Sequence, residues 1–219
     1  MHCGGDRLTA RRFDPGCRAC SRLATYLDEV RERHPDYHAR PVPAFGDEVP
    51  RLLIVGLAPG MHGANRTGRP FTGDHAGILL YETLYQLGLC NLPSGTHAED
   101  GLKLLGCRIT NAVKCVPPGN KPTTAEIRSC NGFLRAEIDT LETGAVLLAL
   151  GGIAHRAILT ALGLSPSRFP FAHGGVHRFV NGRRMVDSYH CSRYNTQTKR
   201  LTPQMFKRAL KKARDLAFA

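Results

Sequence analysis

The chain is short of acidic residues, and it has no apolar run long enough to cross a membrane. Only 18 Asp and Glu stand against 30 Lys and Arg over 219 residues, which leaves a formal net charge of +12. Its first residues contain no hydrophobic secretory segment, and no repeat or flexible linker divides it. We therefore expect one cytoplasmic domain over residues 1–219, with a flexible segment at about residues 1–14.

The basic excess favours a polyanionic partner such as nucleic acid, although a generally basic surface gives the same composition. Neither GxxxxGK[ST] nor GxGxxG follows the first predicted strand. This absence disfavours a P-loop or a dinucleotide-binding fold.

Strands and helices alternate along the sequence. Short apolar runs at 51–56, 107–113 and 145–150 predict buried strands. Asn181-Gly182 predicts a hairpin between two further strands, and Thr123-Thr-Ala-Glu126 predicts a capping box. The alternation predicts a three-layer α/β/α fold around a mostly parallel sheet of about four strands. Other predicted helices span 21–33, 75–87, 152–162 and 203–217.

A glycine-rich loop, GLAPGMHGANRTGRPFTGD, follows the first predicted strand from Gly56 to Asp74. Loops after the carboxyl ends of parallel strands are where α/β proteins bind ligands. Glycines let the backbone approach a ligand closely, and the ring of Phe71 can stack on a flat group. Asp74 falls at the start of a predicted helix, so it is either an N-cap or a site residue.

Two more polar side chains lie at strand ends of the same sheet. Asn111 lies near the end of the second predicted strand, and His190 follows the last one. We expect both to share a crevice with Phe71 and Asp74. Each of these residues, taken singly, is equally well explained as a structural residue bonded to backbone.

The eight cysteines include a CxxC pair, and without a secretion signal they do not suggest disulfides. A second pair brackets a proline-rich loop. Four thiolates suit zinc or an iron–sulfur cube, and the spacing does not choose between them. We interpret the other cysteines as packed or free thiols. The two pairs are Cys17 with Cys20 and Cys115 with Cys130; the others are Cys3, Cys90, Cys107 and Cys191.

Three segments, GLAPGMHGANRTGRPFTGD, ITNAVKC and SYHCSRYNTQTKRLT, resemble the signatures of the uracil-DNA glycosylase superfamily. Specifically, they resemble family five, the UDGb type, and the resemblance covers roughly residues 15–215. The cysteine layout is similar to that of families four and five. The resemblance therefore implies a [4Fe–4S] cluster, with zinc as the alternative, on Cys17, Cys20, Cys115 and Cys130.

The resemblance implies a monomeric DNA-repair enzyme, nucleoid-associated in a prokaryote. It would hydrolyse the glycosidic bond of uracil, and of other deaminated bases such as hypoxanthine, in a flipped nucleotide. Phe71 would stack on the base, Asn111 would bond its edge, and His190 would stabilise the leaving base. The backbone at Gly56 and Ala58 would complete the base-binding site.

The resemblance gives no general base at the position after Gly56, because Leu57 can do no acid–base work. We therefore expect a largely dissociative reaction, with Asp74 as the catalytic candidate for holding the water. Arg193 and Tyr194 lie where relatives insert a wedge into DNA, so they are expected to contact it. A non-catalytic iron–sulfur module that binds DNA or a nucleotide is the alternative function.

Overall fold

The structure, a computed structural model, describes residues 12–219. The predicted flexible segment lies mostly outside the described residues, and Cys3 lies wholly outside them. Among residues 12–219, no helix combines the length and the apolar character that crossing a bilayer requires.

A six-stranded sheet forms the centre of the molecule, in the order β1-β3-β2-β4-β6-β5. The four longer strands, β3, β2, β4 and β6, are parallel, and the two short strands pair antiparallel at the edges. The predicted mostly parallel sheet is confirmed, but it has six strands rather than about four, and the short edge strand β1 was not predicted. The strands are β1 Phe45–Gly46, β2 Leu52–Gly56, β3 Cys107–Asn111, β4 Val146–Leu150, β5 Val176–Arg178 and β6 Arg184–Ser188.

Helices cover both faces of the sheet, as the α/β/α prediction requires. Leu80, Leu84 and Phe206 pack on one face, and Leu134 and Ile158 pack on the other. The predicted capping box at Thr123 is present and the predicted hairpin is formed. The helices are α1 Ser21–Arg33, α2 Ala64–Thr67, α3 His75–Gln86, α4 Thr124–Asp139, α5 Gly152–Ala161, α6 Arg193–Gln197 and α7 Pro203–Ala217.

The strand register places the ends of the parallel strands at one edge. Gly56 at the end of β2 pairs with Asn111 at the end of β3. Leu150 at the end of β4 pairs with Ser188 at the end of β6. The loop after β2 and the segment after β6 therefore emerge side by side, which positions the candidate site.

Candidate active site

A cavity of about 680 Å³ opens at this edge of the sheet. It is lined by side chains that are far apart in the sequence, as the alignment of the strand ends predicts. The predicted residues on its wall are Ala58, Phe71, Asp74, Asn111, His190 and Arg193.

Phe71 and Asn111 meet over Gly56. A Cβ atom added at Gly56 would lie 2.4 Å from Asn111 Oδ1 and 2.7 Å from the Phe71 ring. Only glycine fits beneath these side chains, so Gly56 supports the cavity from below rather than lining it. The Phe71 ring also stacks on His190, with the ring centroids 5.8 Å apart.

Asn111 ends β3 with a buried side chain. Its Oδ1 atom is buried and has no hydrogen-bond partner in the protein. Leaving a buried acceptor unpaired costs about 1–3 kcal/mol. Of the five buried side-chain atoms without a partner among the described residues, Asn111 Oδ1 is the one that belongs to a cavity-lining residue. The cavity therefore holds an acceptor available to a ligand that donates a hydrogen bond.

His190 follows β6, and Asn195 Nδ2 donates a hydrogen bond of 2.8 Å to its carbonyl oxygen. Burial lowers the pKa of the His190 imidazole to about 4. The ring is therefore neutral at neutral pH, and one of its nitrogens carries a proton to donate.

The two carboxylate oxygens of Asp74 have different surroundings. Its Oδ1 accepts the Gly77 N–H at 2.9 Å and caps α3, as an N-cap aspartate does. Its Oδ2 lies toward Gly63, where an added Cβ would come within 2.6 Å of it. Burial raises the pKa of Asp74, and backbone hydrogen bonds oppose that shift. The cap therefore engages only one of the two oxygens of this cavity residue.

The segment after His190 forms α6, a helix that the sequence analysis did not predict. Arg193 lines the cavity, whereas the Tyr194 side chain is exposed and lies outside it. A hydrogen bond of 3.2 Å between His75 Nε2 and Thr196 Oγ1 connects α6 to α3. The two predicted DNA-contacting residues thus lie at the cavity and on the surface beside it.

His62 also lines the cavity, although the sequence analysis assigned it no role. Tyr37 Oη lies 2.8 Å from His62 Nδ1, and the Tyr37 ring stacks on His34. The only feature of the sequence that could have indicated a role for His62 was its position in the glycine-rich loop. Its partner Tyr37 comes from a distant connection that carries no recognisable motif.

A buried cluster lies at the end of β6, three residues before His190. The Asp187 carboxylate accepts hydrogen bonds of 2.8 Å from His155 and 2.8 Å from His177. It also accepts the Ala172 N–H at 3.1 Å. These hydrogen bonds satisfy the buried carboxylate and join β6 to α5 and β5, so we interpret the cluster as structural. The sequence analysis missed it.

The four predicted metal ligands, here called the cysteine shell, line a second cavity. Cys20 precedes α1, Cys115 follows β3 and Cys130 lies on α4. The Lys114 N–H donates to Cys130 Sγ at 3.3 Å. The shell residues are Cys17, Cys20, Cys115 and Cys130.

The other described cysteines are packed. Cys90, Cys107 and Cys191 are all buried. Burial raises the pKa of the Cys191 thiol far above its usual range. This thiol next to His190 is therefore no candidate nucleophile, in agreement with the interpretation as a packed residue.

The fold and the cavity define an α/β protein with an open cleft at the carboxyl end of its sheet. Residues 43–214 match the family model of the Uracil DNA glycosylase superfamily. The chain belongs to this superfamily, which confirms the resemblance found in the sequence.

Several relatives share nearly the full length of the chain. It is 47% identical over 206 residues to the Type-5 uracil-DNA glycosylase of Thermus thermophilus, covering 92% of this chain and 94% of that protein. It is 42% identical over 201 residues to the Type-5 uracil-DNA glycosylase of Pyrobaculum aerophilum, covering 90% and 87%. A Type-4 uracil-DNA glycosylase of Thermotoga maritima is 33% identical over 143 residues, covering 65% of each chain.

Proposed function

We propose that the protein is a monofunctional DNA glycosylase that removes uracil from DNA. The observation that carries this proposal is the unpaired Asn111 Oδ1, buried beside Phe71 at the cavity. Uracil presents an N3–H donor between two carbonyl acceptors. Oδ1 accepts that N–H, and the amide nitrogen of the same side chain donates to O4. Cytosine has an acceptor at N3, so in this orientation of the Asn111 amide it would leave Oδ1 unpaired, which disfavours cytosine.

The target nucleotide leaves the DNA stack, and its base enters the cavity against the Phe71 ring. The neutral His190 donates a hydrogen bond to O2 of uracil as the glycosidic bond breaks. Negative charge develops on that oxygen in the transition state, so a fixed donor there lowers the barrier. A neutral donor suits this step because no proton has to leave the enzyme.

Water attacks the sugar after the bond has largely broken. Leu57 lines the cavity and offers no acid–base group. The oxygen of Asp74 that does not cap α3 holds the water near the sugar and stabilises its positive charge. The reaction is therefore largely dissociative and relies little on a general base.

The substrate range extends to other deaminated bases such as hypoxanthine. Hypoxanthine also presents an N–H beside a carbonyl, so Asn111 can bond its edge in the same way. The protein acts as a monomer on the DNA of the nucleoid.

Basic and aromatic side chains at the rim bind the DNA. Arg193 reaches the phosphates next to the flipped nucleotide, and the exposed Tyr194 fills the space that the nucleotide leaves. The net charge of +12 attracts the DNA from a distance.

The cysteine shell holds a [4Fe–4S] cluster that joins α1 to the loop after β3 and to α4. Four thiolates around one zinc ion would lie about 3.8 Å apart, given Zn–S bonds of about 2.3 Å. Among the described residues, three ligand atoms within 4.8 Å of one another occur at His155, His177 and Asp187 and not in the cysteine shell. This wider spacing supports an iron–sulfur cube over zinc.

Binding of a metal centre requires the shell thiols to lose their protons. Burial, followed by the neighbouring cysteines, raises the pKa of Cys115 to about 12. The four thiolates formed on binding need positive charge to balance them, and a metal centre supplies it. When bound, the cluster supplies cross-links between segments rather than chemistry on the base.

The test uses duplexes labelled at one end that contain a single uracil or a single hypoxanthine. Each is incubated with the protein and then cleaved with alkali, which breaks DNA only at an abasic site. We expect cleavage at uracil in the U·G duplex, and slower cleavage at hypoxanthine. An otherwise identical duplex with cytosine is the matched control.

No cleavage at uracil by protein that has its full iron content would contradict the proposal. That result would favour the non-catalytic module that binds DNA or a nucleotide. Cleavage at uracil alone would leave the glycosylase standing and overturn the broader substrate range.

A further inference from the structure

Phe71 has an unusual backbone conformation. Its φ of +55° lies in the left-handed region, which residues other than glycine rarely adopt. Its carbonyl oxygen lies against α3 at Gly77, where an added Cβ would come within 1.7 Å of that oxygen. Such a conformation costs energy, so the surrounding structure has to hold it.

Hydrogen bonds fix the residues on both sides of Phe71. Tyr81 Oη donates to the Pro70 carbonyl at 2.6 Å. Arg69 Nε donates to Thr72 Oγ1 at 2.8 Å, across the bend that Phe71 makes. The side chain of Arg69 therefore closes the turn that presents the ring to the cavity.

The Arg69 guanidinium is itself held by a distant loop. It is 4% exposed, and it pairs with both oxygens of Asp100 at 2.8 and 2.6 Å. It also lies over the Phe45 ring at 4.9 Å. Asp100 accepts the backbone N–H groups of Thr96 and Leu102, which order its own loop. The Arg69 guanidinium holds the pKa of Asp100 well below its usual range, so this carboxylate stays ionised.

Neither partner of this ion pair lines the cavity. We propose that Arg69 and Asp100 are positioning residues, which hold Phe71 in its left-handed conformation for stacking on the base. This inference rests on the proposed function, because stacking by Phe71 is part of it. The loop at 91–101 thus belongs to the base-binding machinery without touching the base.

A double-mutant cycle tests the inference, because two residues that act through one contact give non-additive losses. The proteins are the wild type, Asp100→Asn, Phe71→Ala and the double variant. The measured quantity is the single-turnover rate constant for uracil excision at saturating enzyme. Asp215→Asn is the matched control, since it makes the same change in an exposed ion pair on α7.

We expect Asp100→Asn to lower the rate constant about tenfold and Phe71→Ala about 100-fold. The double variant is expected to lie within about threefold of Phe71→Ala. The Kd for an undamaged duplex should stay unchanged in all four proteins, which a general loss of structure would not allow. Asp215→Asn should react at the wild-type rate.

Losses that multiply in the double variant, or a wild-type rate for Asp100→Asn, would overturn the positioning role. If Asp100→Asn does not fold, Arg69→Lys replaces it in the cycle, since it keeps the charge and loses the bidentate pair. Arg69→Lys is expected to lower the rate constant about threefold and to show the same coupling to Phe71. An inactive wild type would instead contradict the proposed function, so the two failures are distinguishable.

Discussion

The active-site cavity and the cysteine shell are held together in different ways. At the cavity, hydrogen bonds within the protein hold the Asp74 carboxylate and the backbone carbonyl of His190, so the segments that carry these residues are fixed. The four thiols of the shell are free cysteines, brought together by apolar packing of α1 against the segment after β3 and α4. Among the described residues, the only hydrogen bond to a shell sulfur runs from the Lys114 N–H to Cys130 Sγ. We therefore expect the cavity to be pre-organised without its ligand, and the shell to gain stability from the proposed cluster.

The largest effect should come from His190→Ala, which affects the cavity alone. Loss of a donor to developing negative charge lowers kcat by about 10²- to 10³-fold. Iron content and melting temperature should stay at wild-type values, because the shell is untouched. Single-turnover excision assays measure the loss of activity, and iron analysis measures the metal content. Asp215→Asn on α7, which does not line the cavity, is the control; excision by His190→Ala at the wild-type rate would refute the role.

Asn111→Asp should have the next largest effect. The carboxylate keeps the shape and still accepts N3–H, but it cannot donate to O4 and repels it. We expect kcat/KM for uracil to fall about 100-fold, with no change in iron content. Asn181→Asp in the exposed hairpin turn makes the same chemical change far from the cavity. An equal loss in both variants would show that the effect is not due to base recognition.

Cys115→Ala tests the cysteine shell rather than the cavity. We expect loss of iron and a fall in the free energy of unfolding of about 3 kcal/mol, or roughly 10 °C in melting temperature. The absorbance of the cluster and thermal unfolding report these changes. Cys90→Ala removes a buried thiol outside the shell, and it should keep its iron. Full iron content in Cys115→Ala would show that the ligand assignment is wrong.

The smallest effect concerns pH. The pKa of His190 is lowered from 6.5 to about 4, so the folded protein binds fewer protons than the unfolded chain between these values. Its contribution to stability is therefore fully present above pH 6.5 and is lost as the pH falls toward 4. The raised pKa of Asp74 acts in the same direction on activity, since its carboxylate protonates at a higher pH than usual.

We therefore expect kcat to be flat from roughly pH 6 to pH 8 and to fall on the acid side only. A pH series of single-turnover rates, with circular dichroism at each pH, separates lost activity from unfolding. A loss of activity centred between pH 6 and 7 would contradict a neutral, half-buried His190.

Strand and helix positions were largely predictable because their signals are local. The β2 and β4 strands are short apolar runs, and the capping box of α4 lies within four residues. The edge strand β1 has only two residues, too few to give a periodic pattern. Helix α6 was missed because its five residues carry no apolar repeat.

By itself, the sequence determined the α/β/α fold, the family and the residues that meet at the end of the sheet. Those follow from apolar runs and from motifs that lie close together along the chain. Only the tertiary structure decided that Asp74 caps α3 with one oxygen, and that Arg69 reaches across to Asp100. It also decided that Asn111 Oδ1 is left unpaired. Such partners are chosen by three-dimensional packing between distant segments, and no local pattern of residues encodes them.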